Sequence, residues 1–511
     1  MNIANGVSRF SGLLYKRQFV LSKYPPICDG RWSCNSFGDY TIYTHPDDKS
    51  IVLDAPRGGF QVAMVGYMID PYSDESDDED ILLEIASQDC IAGVIAVLKK
   101  ISGRFVLFLR SHGKILVFHD PCGLKSVYYT GCGGNVFVGS SPGVLSEFID
   151  VKKSEDFSHY LSTKYYRSDR ENWLPSGMSL FKNVMHLVPN HYLDMATLSQ
   201  HRYYPDRMLV DNREEDLAVT SAELLRALMK AARRRYELAI PITSGWDSRL
   251  LFCASRSFSS ENFYYTLRYR GMDSNFPDLK VPGKMLSRLG LKHHVIDCNK
   301  DVPGSFIGFY ERNAPLSHYD DWGKMAYAMM LEYPMERLCI KGNGSGILKC
   351  SYYKRNVLRK VESHYDLLNI IYKWKGLNYA EAAIRRWYSA TAPVAKYYNF
   401  HILDLLYWEH RMGSWQSQSQ LEWGFLQETF TPFNHRPLLE SLMSSPAFCR
   451  LPPECPVFRD MCTYLWEDAM DFPVNPLSKK ERINSKAKKL LCKIGAYESI
   501  RNLRNLVLEG R

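Results

Sequence analysis

The residues Thr243-Ser244-Gly245-Trp246-Asp247-Ser248 join an apolar run, Leu238 to Ile242, to a stretch with helical spacing. Small residues at such a junction let backbone N–H groups turn toward one point, and a helix start adds its partial positive charge. A diphosphate is the natural guest of that arrangement. Asp247, at the helix entrance, is placed to hold Mg²⁺ between phosphates, while Thr243 and Ser248 offer hydroxyls. A plainer reading stays open, in which Asp247 and Ser248 only cap the helix. Trp246 either stacks on a ligand ring or fills the space beneath the phosphates. His293-His294 precedes an extended run and reads as structural, one ring packed and one exposed. The six acids between Asp74 and Asp80 read as a solvated loop, because such a run repels itself and no second ligand set accompanies it.

The elements that must position this loop are legible in outline. Up to about residue 205 the chain reads mostly as strands. Val106 to Leu109 and Ile115 to Phe118 flank Ser111-His112-Gly113, a hairpin signal, and Val127 to Tyr129 and Val136 to Val138 bracket Gly131 to Asn135 in the same way. Near residue 205 the pattern changes. Leu217, Ser221, Leu224, Leu228 and Ala231 recur at helical spacing behind a cap candidate, Asn212. Strands at Leu238 to Ile242, Phe263 to Leu267 and His294 to Asp297 alternate with helices near Ser248 and from about Pro282 to Leu289. That β-α-β-α-β order predicts a parallel sheet covered by helices. Beyond about residue 350 the chain is helical, with Tyr407, Trp408 and Trp415 to Trp423 as core of those helices.

At 511 residues the chain is too long for one ordinary core, and two domains are expected, 1–205 and 206–511. Hydrophobic content of 45% with 23% charged residues is that of a globular protein, and no apolar run is long enough for a membrane span. Thirteen cysteines without C-x-x-C pairs, and no export signal at the start, predict reduced thiols in the cytoplasm. The net charge of +8 is unevenly placed. Lys479 to Arg511 holds ten Lys or Arg against three Glu, a net +7, and the rest is near balance with 54 basic and 53 acidic residues. The basic stretch suits a solvated helix end, or an anionic partner.

The ordered motifs resemble the asparagine synthetase family. Thr243 to Ser248 resembles its SGG-x-D-S pyrophosphate loop, with Thr243 for the first Ser and Ser244 for the first Gly. Pro277-Asp278-Leu279-Lys280, Leu289-Gly290 and His293-His294 resemble its P-D-L-x-A-A … IG-x-x-HH segment. Ile340-Lys341-Gly342-Asn343-Gly344 falls where the family has S-G-E-G, and Pro432-Phe433-Asn434-His435-Arg436 resembles P-F-L-D-H-R. In the first half, Asp120 to Tyr129 resembles the D-x-x-G-x-x-P-L-Y-Y hairpin of the glutaminase domain, and Leu180 to Leu193 its L-F-K-x-I … P-P-G-H-Y-L bridge. The resemblance implies a β-rich glutaminase-type sandwich over 1–205. It implies a doubly wound α/β ATP-pyrophosphatase domain with C-terminal helices over 206–511. ATP and Mg²⁺ are the implied cofactors, with Asp247 on the metal and the backbone near Leu267 and Gly342 on the adenine.

Departures from the family narrow the expectation. Asn2 stands where its glutaminases carry a cysteine, Cys28 is the first cysteine of the chain, and Val65-Gly66-Tyr67 lacks the Glu of the N-G-E pocket, so glutamine hydrolysis is expected to be lost. The carboxylates of E-G-A-D-E become Asn343, Gly346 and Ile347, which leaves phosphate charge for lysines such as Lys341 or Lys349 to balance. Branches that form β-lactams or close lasso peptides likewise lack the glutaminase cysteine and use an amine within their substrate. By likeness to them Lys479 or Lys480 is a candidate to stabilise the oxyanion, with Lys480 the choice, against an ordinary lysine of the basic tail. The expected function is an AMP- and pyrophosphate-forming amide ligase acting on a carboxylate-bearing small molecule or peptide, either alone or as a homodimer. The alternatives are a catalytically silent binding or scaffold subunit, or PP-loop chemistry on RNA. Nucleic acid is not an expected partner, because a full glutaminase-like first domain argues against the last.

Overall fold

The computed structural model describes residues 10–27, 32–54, 59–73, 75–168, 171–211, 216–353 and 360–476. The strands among them, numbered along the chain, form three sheets. The first sheet holds β1 (Phe19–Ser22), β2 (Ser33–Phe37), β3 (Tyr40–Thr44), β8 (Tyr128–Cys132), β9 (Asn135–Gly139) and β10 (Met185–His186), in the order β10-β8-β9-β1-β3-β2. The second holds β4 (Ser50–Leu53), β5 (Gln61–Ile69), β6 (Ser102–Ser111), β7 (Lys114–His119), β11 (His191–Asp194) and β12 (Ser199–Arg202), in the order β12-β11-β7-β6-β5-β4. Both are antiparallel. Both expected hairpins form, at β6–β7 and β8–β9, each closed by two residues. His112 and Gly113 (φ 49° and 78°) turn the first of them, the left-handed pair that matches strand twist.

Alternation decides what each face buries. Phe19 and Leu21 of β1 meet Ala63, Val65, Val106 and Phe108 of β5 and β6 between the two sheets. Their neighbours Val62, Met64, Leu107 and Leu109 turn the opposite way and join the core of the second half. Within the acidic run Asp74 lies outside the described residues and Glu75 lies in an exposed turn, but Asp77 to Asp80 correct the expectation of a solvated loop. Asp77 is the N-cap of a helix, Asp78–Ala86, in a capping box with Asp80, and Asp78 pairs with Arg235. Carboxylates are favoured there because they face the positive end of the helix dipole.

The third sheet is parallel and holds β13 (Leu238–Pro241), β14 (Phe263–Arg268), β15 (His293–Asp297), β16 (Leu338–Ile340) and β17 (Thr429–Phe430). Leu238, Ile240, Tyr264 and Ile340 pack on one face, Ala239, Tyr265 and Cys339 on the other, so these strands read as apolar runs rather than alternations. The order is β15-β14-β13-β16-β17, with β13 first in sequence and in the middle. This is a doubly wound sheet whose direction of winding reverses between β13 and β16. The helix Leu217–Arg235 precedes it, as its spacing predicted; Asn212 lies outside the described residues. The helix after β14 begins at Pro277, five residues ahead of the expected Pro282, because a proline is well placed in a first turn and Pro277 fills that position.

Candidate functional site

In open parallel sheets ligands settle outside the carboxyl ends of the strands where the winding reverses. Here that point lies between the loops after β13 and β16, and the loop after β13 is Thr243 to Ser248. Helix Trp246–Ala254 starts there, and its first closure is Arg249 N–H to the carbonyl of Gly245 at 3.2 Å. The N–H groups of Trp246, Asp247 and Ser248 therefore stand at an open helix end. Gly245 occupies the cap position without a side-chain bond, so Asp247 and Ser248 do not cap the helix.

Internal bonds hold the loop. Thr243 N–H donates to Ser248 Oγ at 3.0 Å, the Thr243 and Ser248 hydroxyls are 3.0 Å apart, and Gly245 N–H reaches Thr243 Oγ1 at 3.2 Å. Ser244 donates twice to Asp278 Oδ1, from N–H at 3.0 Å and Oγ–H at 2.6 Å. The hydroxyls thus shape the loop, and Asp278, quoted only as part of a motif, is what turns Ser244. Trp246 is 7% exposed and donates to the Pro453 carbonyl at 2.8 Å, so it fills the space beneath the loop.

Asp247 does not stand alone. Both its carboxylate oxygens accept from Lys349 Nζ, at 2.6 and 2.7 Å. Gly342, on the loop after β16, sits so close that a Cβ there would lie 2.9 Å from Asp247 Cβ. Gly342, Asp247 and Lys349 therefore meet across the switch point, while Leu267 lies two residues past the last β13–β14 pair, Pro241↔Tyr265. Lys341 is directed elsewhere: its ammonium lies 4.4 Å from the centre of the Trp423 ring, and burial lowers its pKa. Lys480 and Lys479 lie outside the described residues, as do Asn2 and Cys28. The described chain ends its approach nearby, with Asn475 N–H donating to Ser244 O at 2.8 Å. Arg249, fully buried, holds that segment through the carbonyls of Ala469, Phe472 and Pro473 at 2.6, 3.0 and 3.2 Å. Sequence reasoning missed Arg249 and Asn475, because nothing in the spacing links positions so far apart.

Two of the three replaced acids, at 346 and 347, are closed off by packing, while Asn343 is half-buried. A Cβ on Gly346 would stand 2.1 Å from the Tyr407 hydroxyl, and Ile347 is fully buried. His293 bonds Thr266 Oγ1 at 2.8 Å and His294 stacks on Phe263 at 4.2 Å, which makes both structural. Among the described residues no three His, Cys, Asp or Glu converge as metal ligands. The helix N–H groups and the Lys349 ammonium are donors that could hold a polyphosphate. The two carboxylates of the site are already engaged, Asp247 by Lys349 and Asp278 by Ser244, so a cation would arrive as a passenger of the phosphates.

No family model matches the chain. A protein of Penicillium rubens named amidase chyE is 22% identical over 267 residues, 47% of this chain. The chain spans only 38% of that relative's length. Among solved structures, glutamine phosphoribosylpyrophosphate amidotransferase from B. subtilis, complexed with ADP and GMP, aligns over 56% of this chain and 67% of its own, at 10% identity and a TM-score of 0.24. A structure described as the allosteric regulatory enzyme of purine biosynthesis aligns over 57% and 70%, at 9% identity and the same TM-score. No helix among the described residues is long and apolar enough to cross a membrane.

Proposed function

We propose that the chain is an ATP-dependent amide ligase, forming AMP and pyrophosphate, that takes its amine directly rather than from glutamine. The observation that carries this reading is the loop Thr243 to Ser248 at the winding reversal, facing Lys349 and Gly342. Residues 1–205 form a glutaminase-type unit without its nucleophile, and 206–511 the ligase unit. The Trp246 to Ser248 N–H groups and Lys349 hold the departing pyrophosphate, Asp247 meets the accompanying Mg²⁺, and backbone at Leu267 and Gly342 holds the adenine. A carboxylate oxygen of the substrate bonds to the α-phosphorus of ATP as the bond to the bridging oxygen breaks and pyrophosphate leaves. The amine then bonds to the acyl carbon, AMP leaves with the C–O electron pair, and the amine proton passes to solvent. Lys480 is the residue proposed to steady the oxyanion formed between these events. Amide chemistry is also what the name of the Penicillium rubens relative describes.

Exchange of labelled pyrophosphate into ATP, run with a panel of carboxylates and precursor peptides, tests the proposal. Exchange is expected with an acid lacking a free α-amino head group, and none with aspartate. Asparagine made from aspartate and ammonia refutes that choice. Glutamine-dependent ammonia release, blocked by a thiol-trapping glutamine analogue, refutes the loss of glutaminase activity. A second reading, a silent nucleotide-binding subunit, is favoured by Tyr407 filling the space beside Gly346. ATP binding without exchange across the whole panel replaces the ligase with it.

A further inference from the structure

A cavity of about 370 Å³ opens beside the site, and Tyr407 is the wall they share. The Tyr407 hydroxyl lies against Gly346, close to Lys349 and Asp247, and the same residue lines the cavity. Ser351, also lining it, donates to the Gly346 carbonyl at 2.8 Å and ties the rim to the same turn. The remaining wall is apolar, with Ile370, Ile371 and aromatic rings, and carries two cations. Tyr352 packs 5.3 Å from Tyr407, Tyr372 stands 77% exposed at the mouth, and Lys373 and Arg411 supply the charge.

Among the described residues of the lining, Lys373 and Arg411 carry charge and none is an acid; the Lys373 ammonium also donates to the Glu171 carbonyl at 3.3 Å. Arg411 is fixed in place: its guanidinium lies 3.6 Å from the centre of the Trp415 ring, and it donates to Glu171 Oε2, outside the lining, at 2.9 Å. The Lys373 ammonium sits over the Trp173 and Tyr165 rings at 5.3 and 4.8 Å. Cations held against ring faces beside apolar walls favour a flat anion, since the rings hold its body and the ammonium its charge. A zwitterionic amino-acid head would bring its own ammonium toward those two cations.

We infer that this cavity is the acyl-substrate pocket, and that it takes an aromatic or flat acid bearing a second anionic group, whose far charge rests at Lys373 and Arg411 while the carboxylate to be activated lies at the Tyr407 end. The inference rests on the adenylating reading of the adjoining site and names the substrate class for it.

Calorimetry with terephthalate, benzoate and 4-(aminomethyl)benzoate, in the absence of ATP, tests it on the full chain. Terephthalate is expected to bind about tenfold tighter than either of the others. Lys373→Gln, checked by its melting curve, is expected to erase that preference. Tyr352→Ala, which removes a ring wall, is expected to weaken all three alike. Equal affinity for the three acids overturns the assignment, as does a preference that survives Lys373→Gln or an absence of saturable binding. The series on the unaltered protein decides the matter if a variant fails to fold. Preferential binding without pyrophosphate exchange upholds the pocket and overturns adenylation; exchange indifferent to Lys373 does the reverse.

Discussion

Asp247 and Lys349 form a half-exposed pair, with side-chain exposures of 36% and 20%, so water screens it and its worth to folding is small. Its consequence is for ligands. Lys349→Ala removes the ammonium a phosphate would meet and is expected to lower affinity for metal-free ATP roughly tenfold. Asp247→Ala releases Lys349 to the phosphates, so metal-free ATP should bind more tightly while added Mg²⁺ ceases to help. Calorimetry with and without Mg²⁺ reads both effects, and affinities unchanged by either variant remove the loop from nucleotide binding. Gly346 gives a second test at this scale. Gly346→Ala sets a methyl against the Tyr407 hydroxyl and is expected to cost about 1–3 kcal/mol in urea unfolding. In a Tyr407→Ala background the same change should be nearly neutral or mildly stabilising, since alanine suits a helix better than glycine.

At the level of elements, Arg249 matters most. It sits in the helix that begins at the loop, is fully buried, and gives its charge to three carbonyls of the chain at 469–473 instead of to an acid. Arg249→Leu leaves those carbonyls without their donor and is expected to cost on the order of 3 kcal/mol. Protease cleavage near residues 469–475 should rise, and nucleotide affinity should fall as Asn475 leaves Ser244. A variant as resistant as the parent shows the segment to be held by other contacts. What was legible in sequence follows the same division. Hairpins at His112-Gly113 and at Gly133-Gly134 are local, and turn chemistry announces them. The parallel strands announce themselves by being apolar on both faces. The pairing of Asp247 with Lys349 spans 102 residues, and the place of Thr429–Phe430 beside β16 depends on the whole sheet, so neither leaves a local trace. The helix at Asp78 has a two-sided signal: a run of acids repels itself, which suggests a loop, yet carboxylates are drawn to a helix start, and here that attraction prevails.

Across the molecule, one hydrophobic cluster runs through both halves, from Val62 and Leu107 to Phe433 and Leu439. Asn434 crosses the same boundary, donating to Gly103 O and Asp120 Oδ1 at 2.8 Å each and accepting from Cys122 N–H at 2.7 Å. Four histidines, His119, His186, His410 and His435, are buried, and His191 is half-buried. Burial lowers His186, His191 and His435 to about 4 and His119 and His410 to about 3, so all five are neutral when folded. Unfolded, they take up protons near 6.5, so folding stability is full above that value and lost as pH falls from about 6.5 toward 3. The urea midpoint should drop across that window. His186→Phe keeps the stack on Tyr128, at 4.4 Å, and should flatten the slope by up to about 1.4 kcal/mol per pH unit. An unaltered slope shows that other groups govern the acid limb.

The shared cluster also constrains how this chain can change by descent. A reaction can be abandoned one residue at a time, but the two antiparallel sheets cannot be dropped by a gene deletion. Their removal would bare the apolar face that Val62, Met64, Leu107 and Leu109 cover, and leave Asn434 facing nothing. A half placed in this way serves as a wall for its neighbour whatever its own chemistry, free to drift inside and held fast along one side.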